Sequence, residues 1–288
     1  MTVLTRVRWV IFGVALATIP AAAQAPGADA PAIFNTVKQK LKAGGQVVGA
    51  TITLPSPEVY CTLVASGFDF TWIEMQHSPL TYQDVARMIA ACKGPAVPFI
   101  RVPDAVEGDI QKATDIGALG IIVPMVDTVE KAQNAVKFAK YPPIGRRSQG
   151  SGQYGALWGS NYRRTANDNI LVVAMIENPA GVAIADKIAA VPGIDGIFVA
   201  ATDLGSFSGM RQNEPGYEAL VTQVFEATRK AGLFVGGPSA WKETRKGYQF
   251  FQGPEEAQFL RIGARVSLGG EPAEPGQPRG VAPIEGQR

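Results

Sequence analysis

Short apolar runs alternate with amphipathic stretches along most of this chain. The apolar runs lie at residues 47–53, 69–74, 97–102, 120–125, 170–177, 196–200, 233–237 and 264–268. Between them, apolar residues recur three and four positions apart, as at Val85, Met88, Ile89 and Cys92. Runs that are apolar at nearly every position predict parallel strands buried on both faces, and the intervening pattern predicts helices.

Eight such strand–helix units predict an α/β fold, a closed (β/α)8 or TIM barrel. An open doubly wound sheet is the alternative, because the seventh and eighth units are weakly marked. In both folds the chemistry belongs at the carboxyl ends of the strands. The polar residues to consider are therefore those that directly follow the apolar runs.

The first 23 residues have the pattern of a secretory signal peptide. Arg6 and Arg8 precede an apolar run at 9–19, which is followed by small residues at 21–23. The run is shorter than the roughly 20 residues that cross a bilayer, which argues against a membrane anchor. We expect cleavage near Ala23, and with it a periplasmic or secreted protein.

The remainder divides into a linker at 24–33, a barrel at 34–270 and a Pro/Gly-rich tail at 271–288, which we expect to be disordered. The barrel then has a length typical of a single (β/α)8 domain, about 250 residues. The formal charge of +2 over 288 residues comes from the signal segment, since the rest holds 25 basic and 25 acidic residues. A neutral mature chain argues against nucleic acid or an anionic membrane as partner.

Cys61 and Cys92 are the two cysteines of the chain. Export would allow them to be oxidised. Both fall in predicted amphipathic helices, so the pattern favours two buried thiols. Whether the two side chains meet does not follow from the sequence.

Two basic side chains follow the second and third predicted strands. His77 is the single histidine, which excludes zinc sites built from several histidines. Its place in a loop after a barrel strand predicts a catalytic role, with a structural role as the alternative. Arg101 closes the third run and needs an anionic partner if buried, either a bound carboxylate or enolate or an internal salt bridge.

Two acidic residues, Glu177 and Asp203, close the fifth and sixth predicted strands. In a barrel they would face the same central opening. Two oxygen ligands, with other positions left to substrate and water, suit Mg²⁺ or Mn²⁺. An acid/base pair of the glycosidase kind is one alternative, and helix capping by Asp203 is another. Neither acid alone indicates a particular kind of site, but the combination of both with His77 and Arg101 does.

A G-x-G-x-x-G pattern occurs at 150–155. Such a pattern indicates a dinucleotide site when it follows a strand and opens a helix. Here it follows the loop sequence YPPIGRR at 141–147, so we expect no dinucleotide cofactor. We expect instead a mobile glycine-rich loop over the mouth of the barrel.

Several longer stretches resemble the HpcH/HpaI aldolase family, the metal-dependent pyruvate aldolases grouped with citrate lyase-type enzymes. The matching stretches are GFDF at 67–70 running to His77, FIR at 99–101, DIGA at 115–118, VPMVDT at 123–128, YPP at 141–143, IE at 176–177, and GIDGIF at 193–198 running to 203–204. They occur in order over about residues 34–270. The resemblance implies a TIM barrel of the phosphoenolpyruvate/pyruvate-domain type.

The resemblance also implies a site and a reaction. Glu177 and Asp203 would bind Mg²⁺, Mn²⁺ or Co²⁺, and Asp115 would support the histidine of a neighbouring subunit in a homo-oligomer. The implied reaction is retro-aldol cleavage of a 4-hydroxy-2-keto acid to pyruvate or a similar keto acid and an aldehyde. The metal would act as Lewis acid, Arg101 would stabilise the enolate oxygen, and His77 would move the proton of the C4 hydroxyl.

The sequence departs from the family pattern beside these residues. Gln76 stands in place of an acid and Glu74 in place of an aspartate, Met175 replaces a glutamine, and residues 200–202 read AAT rather than GPA. We expect Gln76 and Thr202 to contact the substrate. We also expect these changes to affect substrate preference more than metal binding.

The end of the chain also departs from the family. The proline-rich run at 271–278 cannot form a helix, so we expect the eighth helix of the barrel to be missing. That expectation puts the family's usual hexamer, and the role of Asp115 across an interface, in question.

Two alternatives to a secreted aldolase remain open. One is a lyase for a larger citrate- or malate-type acid, motivated by the changes at Met175 and 200–202. The other is a periplasmic barrel that has lost catalysis and binds a carboxylate, motivated by export and the missing helix. The presence of His77, Arg101, Glu177 and Asp203 together favours an enzyme.

Overall fold

A closed barrel of eight parallel strands forms the centre of the computed structural model, which describes residues 33–272. The strands are β1 (Val47–Ile52), β2 (Phe70–Glu74), β3 (Val97–Arg101), β4 (Gly120–Val123), β5 (Leu171–Ile176), β6 (Gly196–Val199), β7 (Phe234–Pro238) and β8 (Phe250–Glu255). Each strand pairs with the next along the chain, and β1 closes the ring on β8 with Val47 opposite Phe250. The predicted (β/α)8 barrel is confirmed, and the open sheet is excluded.

Helices surround the barrel. They are α1 (Thr36–Lys42), α2 (Pro57–Val64), α3 (Tyr82–Ala91), α4 (Glu107–Asp115), α5 (Val129–Ala139), α6 (Tyr154–Trp158), α7 (Tyr162–Asn169), α8 (Pro179–Ala183), α9 (Ala185–Ala189), α10 (Ala201–Ser208), α11 (Pro215–Lys230) and α12 (Glu256–Ser267). Ser56, Thr81, Thr128 and Asn178 cap the helices α2, α3, α5 and α8 by accepting hydrogen bonds from backbone N–H groups. These caps tie the loops that leave the carboxyl ends of β1, β2, β4 and β5 to the helices that follow.

The first seven strands agree with the predicted apolar runs to within two residues. Every residue of β2, β3, β4, β5 and β6 is buried. Strands covered by helices outside and by packed side chains inside have no polar face, which is why they occur as continuous apolar runs in the sequence.

Aromatic side chains fill the inside of the barrel around Phe250. Its ring centroid lies 4.5 Å from that of Phe70, 5.6 Å from Phe99 and 5.5 Å from Phe234. Gly120 on β4 leaves room for this packing, because a Cβ atom there would overlap the Phe99 ring. The interior is a packed core, so the strand ends are left to form the site.

The predicted eighth strand at 264–268 is wrong. Those residues lie in or directly after α12, where Val266 is 47% and Leu268 is 89% exposed. The eighth strand is β8, whose Phe250 and Phe251 are fully buried between β7 and β1. Gln252, Gly253 and Pro254 interrupt its apolar run, so the sequence pattern alone does not distinguish it.

The expectation that the eighth helix is missing is also wrong, because α12 follows β8. The buried carboxylate of Glu256 at its start accepts hydrogen bonds from the backbone N–H of Thr53 at 2.6 Å and of Leu54 at 3.1 Å. The proline-rich run begins after Ser267 and therefore follows the helix rather than replacing it.

The signal peptide predicted at 1–23, nearly all of the linker and most of the tail lie outside the described residues. Within residues 33–272, no helix combines the length and the apolar character needed to cross a membrane.

The two cysteines form a disulfide rather than two buried thiols. Cys61 on α2 and Cys92 at the end of α3 are joined with their Cα atoms 5.8 Å apart, and both side chains are half-buried. The helices α2 and α3 are neighbours in the ring, so an amphipathic position on each brings the sulfurs together. The prediction was wrong because helix spacing does not reveal which helix faces are adjacent.

The glycine-rich segment lies away from the mouth of the barrel. It connects α5 to α6 ahead of β5, on the side where strands begin. Gln153, within the segment, donates hydrogen bonds to the backbone oxygens of Ala86 at 2.9 Å and Ile116 at 3.1 Å. The expectation of a loop over the mouth is wrong, because a loop that precedes a strand must lie at its amino end.

Candidate active site

The carboxyl ends of the strands surround a cavity of about 170 Å³. Its lining residues are His77, Arg101, Met175, Phe198, Ala200, Ala201, Thr202, Asp203, Pro238 and Gln252. Glu177 follows β5 next to this cavity and interacts with Asp203 and Arg101. The fold therefore brings together the four residues that the sequence singled out, from the ends of β2, β3, β5 and β6.

Arg101 reaches the cavity from the last position of β3 and is buried, with 7% of its surface exposed. Its Nε donates a hydrogen bond to the Glu74 carboxylate, and its Nη1 lies 3.9 Å from the Met175 sulfur. The internal salt bridge considered from the sequence is therefore present. Because the guanidinium also lines the cavity, it remains placed to bind an anionic ligand.

His77 lies in the loop between β2 and α3, and its side chain is exposed at the cavity. Its backbone N–H donates to Glu74 Oε1 at 3.0 Å, and the N–H of Gln76 donates to the same oxygen at 2.8 Å. Thr81 ends the loop with a capping box at the start of α3. Contacts at both ends of the loop thus hold the backbone from which the imidazole projects.

Glu177 is buried and accepts a hydrogen bond from the backbone N–H of Met125. Met125 has a φ of 52°, in the left-handed region that a residue with a side chain rarely adopts. Lys131 Nζ donates to the Met125 carbonyl at 2.8 Å, so this conformation is held on both sides of the residue. Backbone strain of this kind concentrates at functional sites.

Burial and the negative charge of Asp203 raise the pKa of the Glu177 carboxyl above its ordinary value, while the Met125 N–H and Arg101 act in the opposite direction. Two carboxyl groups close together disfavour simultaneous ionisation unless a cation lies between them. A cation between the two carboxyl groups would favour the ionised form of both.

Asp203 is the third residue of α10 and does not cap it. The N-cap position is Ala200, which makes no side-chain hydrogen bond to the helix. Helix capping, the structural alternative for Asp203, is thus not observed. Its carboxylate is left for the cavity, where it lies among the lining residues.

Two other predicted site residues, Gln76 and Asp115, are not among the residues that line the cavity. Gln76 does not line the cavity, and its Oε1 is buried without a hydrogen-bond donor among residues 33–272. Asp115 ends α4, on the side where the strands begin, and pairs with Arg147 at 2.7 Å. Within one chain the structure does not bring Asp115 to His77. Thr202 lines the cavity beside Asp203, and its contact with substrate stays a prediction.

A larger cavity of about 480 Å³ lies at the opposite end of the barrel. Its charged residues are Lys38, Lys42, Asp195 and Arg229, and Lys38 forms a salt bridge with Asp195 at 3.1 Å. It contains none of the residues that end strands, so we assign the chemistry to the smaller cavity.

Three residues of the site were given no role in the sequence analysis: Glu74, Met125 and Gln252. Glu74 is a carboxylate at a strand end, the same signal that identified Glu177, and could have been found in that way. Gln252 belongs to β8, whose position was mispredicted. Nothing in the sequence marks the strained backbone of Met125.

The sequence model of the HpcH/HpaI aldolase/citrate lyase family matches residues 52–252 of this chain. The match includes every strand from β2 to β7 and the residues His77, Arg101, Glu177 and Asp203.

Similar proteins that carry the names of aldolases cover most of the chain. A hydroxypyruvate/pyruvate aldolase from Rhizorhabdus wittichii is 32% identical over 242 residues, which is 81% of this chain and 96% of that protein. A 2-keto-3-deoxy-L-rhamnonate aldolase from Klebsiella pneumoniae is 33% identical over 71% of this chain and 79% of its own length. Among solved structures, an HpcH/HpaI aldolase/citrate lyase family protein from Burkholderia cenocepacia superimposes with a TM-score of 0.74 and 29% identity, covering 82% of this chain and 98% of that one.

Proposed function

The chain belongs to the HpcH/HpaI aldolase/citrate lyase family and is a lyase, and from that premise we propose that it is a metal-dependent aldolase. The proposed reaction is retro-aldol cleavage of a 4-hydroxy-2-keto acid to pyruvate or a similar keto acid and an aldehyde. The observation that carries the proposal is the meeting of Arg101, His77, Glu177 and Asp203 at one cavity. This set supplies an anion-binding group, a proton carrier and two hard oxygen ligands.

The residues of the chain have separate tasks in this reaction. The C4 hydroxyl loses its proton, and the C3–C4 bond breaks with its electron pair moving into the enolate of the keto acid as the aldehyde leaves. The enolate then takes up a proton at C3 to give the keto acid. His77 takes the proton directly or through water, work that suits an imidazole near neutral pH. Arg101 donates hydrogen bonds to the oxygen on which negative charge develops, where preorganised donors contribute most.

A divalent cation suits Glu177 and Asp203, because two carboxylates of neighbouring strand ends are a donor set for Mg²⁺, Mn²⁺ or Co²⁺. Within residues 33–272 no group of three or more His, Cys, Asp or Glu side chains has the arrangement of a metal site. The remaining ligands would therefore come from substrate and water. When bound, the cation supplies Lewis-acid stabilisation of the keto-acid oxygens.

The size and charge of the cavity favour a small keto acid over a citrate-type acid. Arg101 is the one Lys or Arg among the lining residues, and the volume is about 170 Å³. A tricarboxylate carries three negative charges, and together with the carboxylates of Glu177 and Asp203 it would exceed the positive charge of one guanidinium and one divalent cation. The relatives named as aldolases act, by their names, on keto acids.

The test is release of pyruvate from a panel of 4-hydroxy-2-keto acids, with citrate and malate included, in the presence of Mg²⁺, Mn²⁺ or Co²⁺. We expect Glu177→Gln and Asp203→Asn to lose about 100-fold or more in kcat/KM, because each removes a carboxylate ligand. Asp186→Asn, an exposed acid on α9, is the control and should match the wild type. Equal activity in all variants would refute the site, and turnover of citrate or malate alone would move the substrate to the larger acids.

We also propose that the mature protein begins near Gln24 and works in the periplasm or outside the cell. The pattern of residues 1–23 supports export, and the Cys61–Cys92 disulfide is typical of oxidising compartments. Mass spectrometry of the protein recovered from a periplasmic extract tests this. An intact residue 1 in a cytoplasmic fraction would contradict it.

A homo-oligomer is a further part of the proposal, with Asp115 reaching the histidine of a second copy. Its support is the exposure of Leu260, Val266 and Leu268 on and after α12, an apolar surface of the kind that contacts partners. The mass in solution tests it. A monomer with full activity would remove the proposed role of Asp115.

A further inference from the structure

The carboxylate of Glu74 accepts hydrogen bonds both from Arg101 and from the backbone of the loop that carries His77. Oε2 accepts hydrogen bonds from Arg101 Nε and, at 3.2 Å, from Trp72 Nε1. Oε1 accepts the backbone N–H groups of Gln76 at 2.8 Å and His77 at 3.0 Å. We propose that Glu74 is a positioning residue that holds the Arg101 guanidinium and the His77 loop in a fixed relation, an inference that rests on the proposed aldolase function.

The contact with Arg101 determines which edge of the guanidinium faces the ligand. Nε is occupied by Glu74, while the partner of Nη1 within residues 33–272 is the Met175 sulfur at 3.9 Å, a weak acceptor. The guanidinium carbon also lies over the Trp72 ring, 5.9 Å from its centroid, a favourable cation–π contact. The Nη edge is thereby left for the developing negative charge.

The contact with the loop acts on the backbone rather than on the imidazole. Glu74 is the last residue of β2, and its side chain turns back to bind the two N–H groups that follow it by two and three positions. Ser78 Oγ also donates to the Glu74 carbonyl. The loop is therefore folded around Glu74, and His77 projects from it into the cavity.

Four donors on one buried carboxylate require both oxygens as acceptors and a negative charge. Glu74 is 3% exposed, so water does not replace a lost partner. A glutamine of the same shape has one acceptor oxygen, and its NH2 group would face donors. Glu74→Gln should therefore release either the arginine or the loop while leaving Glu177 and Asp203 in place.

Glu256 provides a matched control. It too is a buried carboxylate, 2% exposed, that accepts two backbone N–H groups of a loop after a strand, from Thr53 and Leu54. It contacts neither Arg101 nor the His77 loop. A purely structural role for buried glutamates of this kind would give Glu74→Gln and Glu256→Gln the same effect on activity per folded molecule.

The experiment is a double-mutant cycle on the metal-loaded enzyme, with Glu74→Gln, Arg101→Lys, the double variant and Glu256→Gln. Turnover of the wild type is established first, and folding is checked by thermal melting. We expect Glu74→Gln to lower kcat about 10- to 100-fold. Its Mn²⁺ affinity, measured by calorimetry, should stay within about threefold of the wild type, since it does not contact the proposed ligands.

Coupling to Arg101 distinguishes positioning from general destabilisation. In the Arg101→Lys background, where the Nε contact is lost, Glu74→Gln should lower kcat less than it does in the wild type. Glu256→Gln should keep the wild-type kcat. If Glu74→Gln does not fold, the same cycle is run with Glu74→Asp, which keeps the charge and shortens the reach.

Wild-type kcat in Glu74→Gln, or effects of Glu74→Gln and Arg101→Lys that simply multiply, would overturn the inference. Absence of turnover in the wild type would instead contradict the proposed function. In that case the cycle is measured on oxalate affinity in the presence of Mn²⁺, where an uncoupled Glu74 and Arg101 would overturn the positioning role.

Discussion

His77 reaches the cavity from a loop whose backbone, not its own side chain, is held in place. Catalytic groups need to lie within a fraction of an ångström of a productive geometry, and a loop alone does not provide that. Here the carboxylate of Glu74 and the capping box at Thr81 provide it from both ends. The group proposed to move a proton, His77, is therefore distinct from the groups that hold its loop in position.

His77→Gln should lower kcat by about 100-fold or more, because an amide cannot carry the proton of the C4 hydroxyl. Metal affinity should be unchanged, since the proposed ligands are Glu177 and Asp203. Steady-state kinetics together with Mn²⁺ calorimetry measure both quantities. A large loss of Mn²⁺ affinity would mean that the imidazole is a ligand instead of a proton carrier.

The disulfide between α2 and α3 joins two neighbouring helices of the ring. Cys61 and Cys92 are separated by 31 positions, and α3 begins just after the His77 loop. Cross-linking a segment of this length restricts the unfolded chain and stabilises the folded one. The bond thus anchors the segment that contains β2 and the loop of the active site.

Replacing both cysteines, as Cys61→Ser with Cys92→Ser, should lower the free energy of unfolding by about 2–4 kcal/mol. Urea unfolding of the oxidised wild type and the variant measures the difference. Reduced wild-type protein is the matched control and should resemble the variant. Equal stability with and without reductant would show that the bond adds nothing to the fold.

At the scale of the whole molecule, a buried lysine makes the stability of the protein depend on pH. The lysine lies at the end of the barrel where the strands begin. Lys140 is 3% exposed; its Nζ donates hydrogen bonds to the carbonyls of Asn167 at 2.9 Å and Ile170, and lies 3.9 Å from Asp195. Burial lowers the pKa of Lys140 to about 8, although Asp195 acts in the opposite direction. The unfolded chain keeps a lysine pKa of about 10.4.

Between pH 8 and 10 the unfolded chain therefore holds a proton at Lys140 that the folded chain has lost, so the free energy of unfolding rises with pH. We expect a gain of about 2 kcal/mol between pH 7 and 9.5. Urea unfolding at both pH values measures it. Lys140→Met should abolish the gain; a gain of the same size in that variant would assign it to other groups.

Much of the fold and of the site follows from local pattern. Seven strands were predicted from runs of apolar residues, because a strand buried on both faces leaves its signature in consecutive positions. Arg101, Glu177, Asp203 and His77 followed from one rule, that polar residues after barrel strands converge at one end. These inferences need only the spacing of residues along the chain.

The features that were missed depend on contacts between distant segments. β8 is identified as the eighth strand because it pairs with both β7 and β1 and so closes the ring. Residues 264–268 form no such pairs, although they are the more apolar run in the sequence. The Cys61–Cys92 bond depends on which faces of α2 and α3 are adjacent.

The sequence by itself determined the barrel and the set of reactive groups, because both are expressed in the order and periodicity of residues. Only the tertiary structure decided how those groups are held: the hydrogen bond from Arg101 to Glu74, the backbone N–H of Met125 on Glu177, and the pairing of Asp115 with Arg147. Such contacts join segments that are far apart in the chain, and their geometry exists only once the barrel has closed.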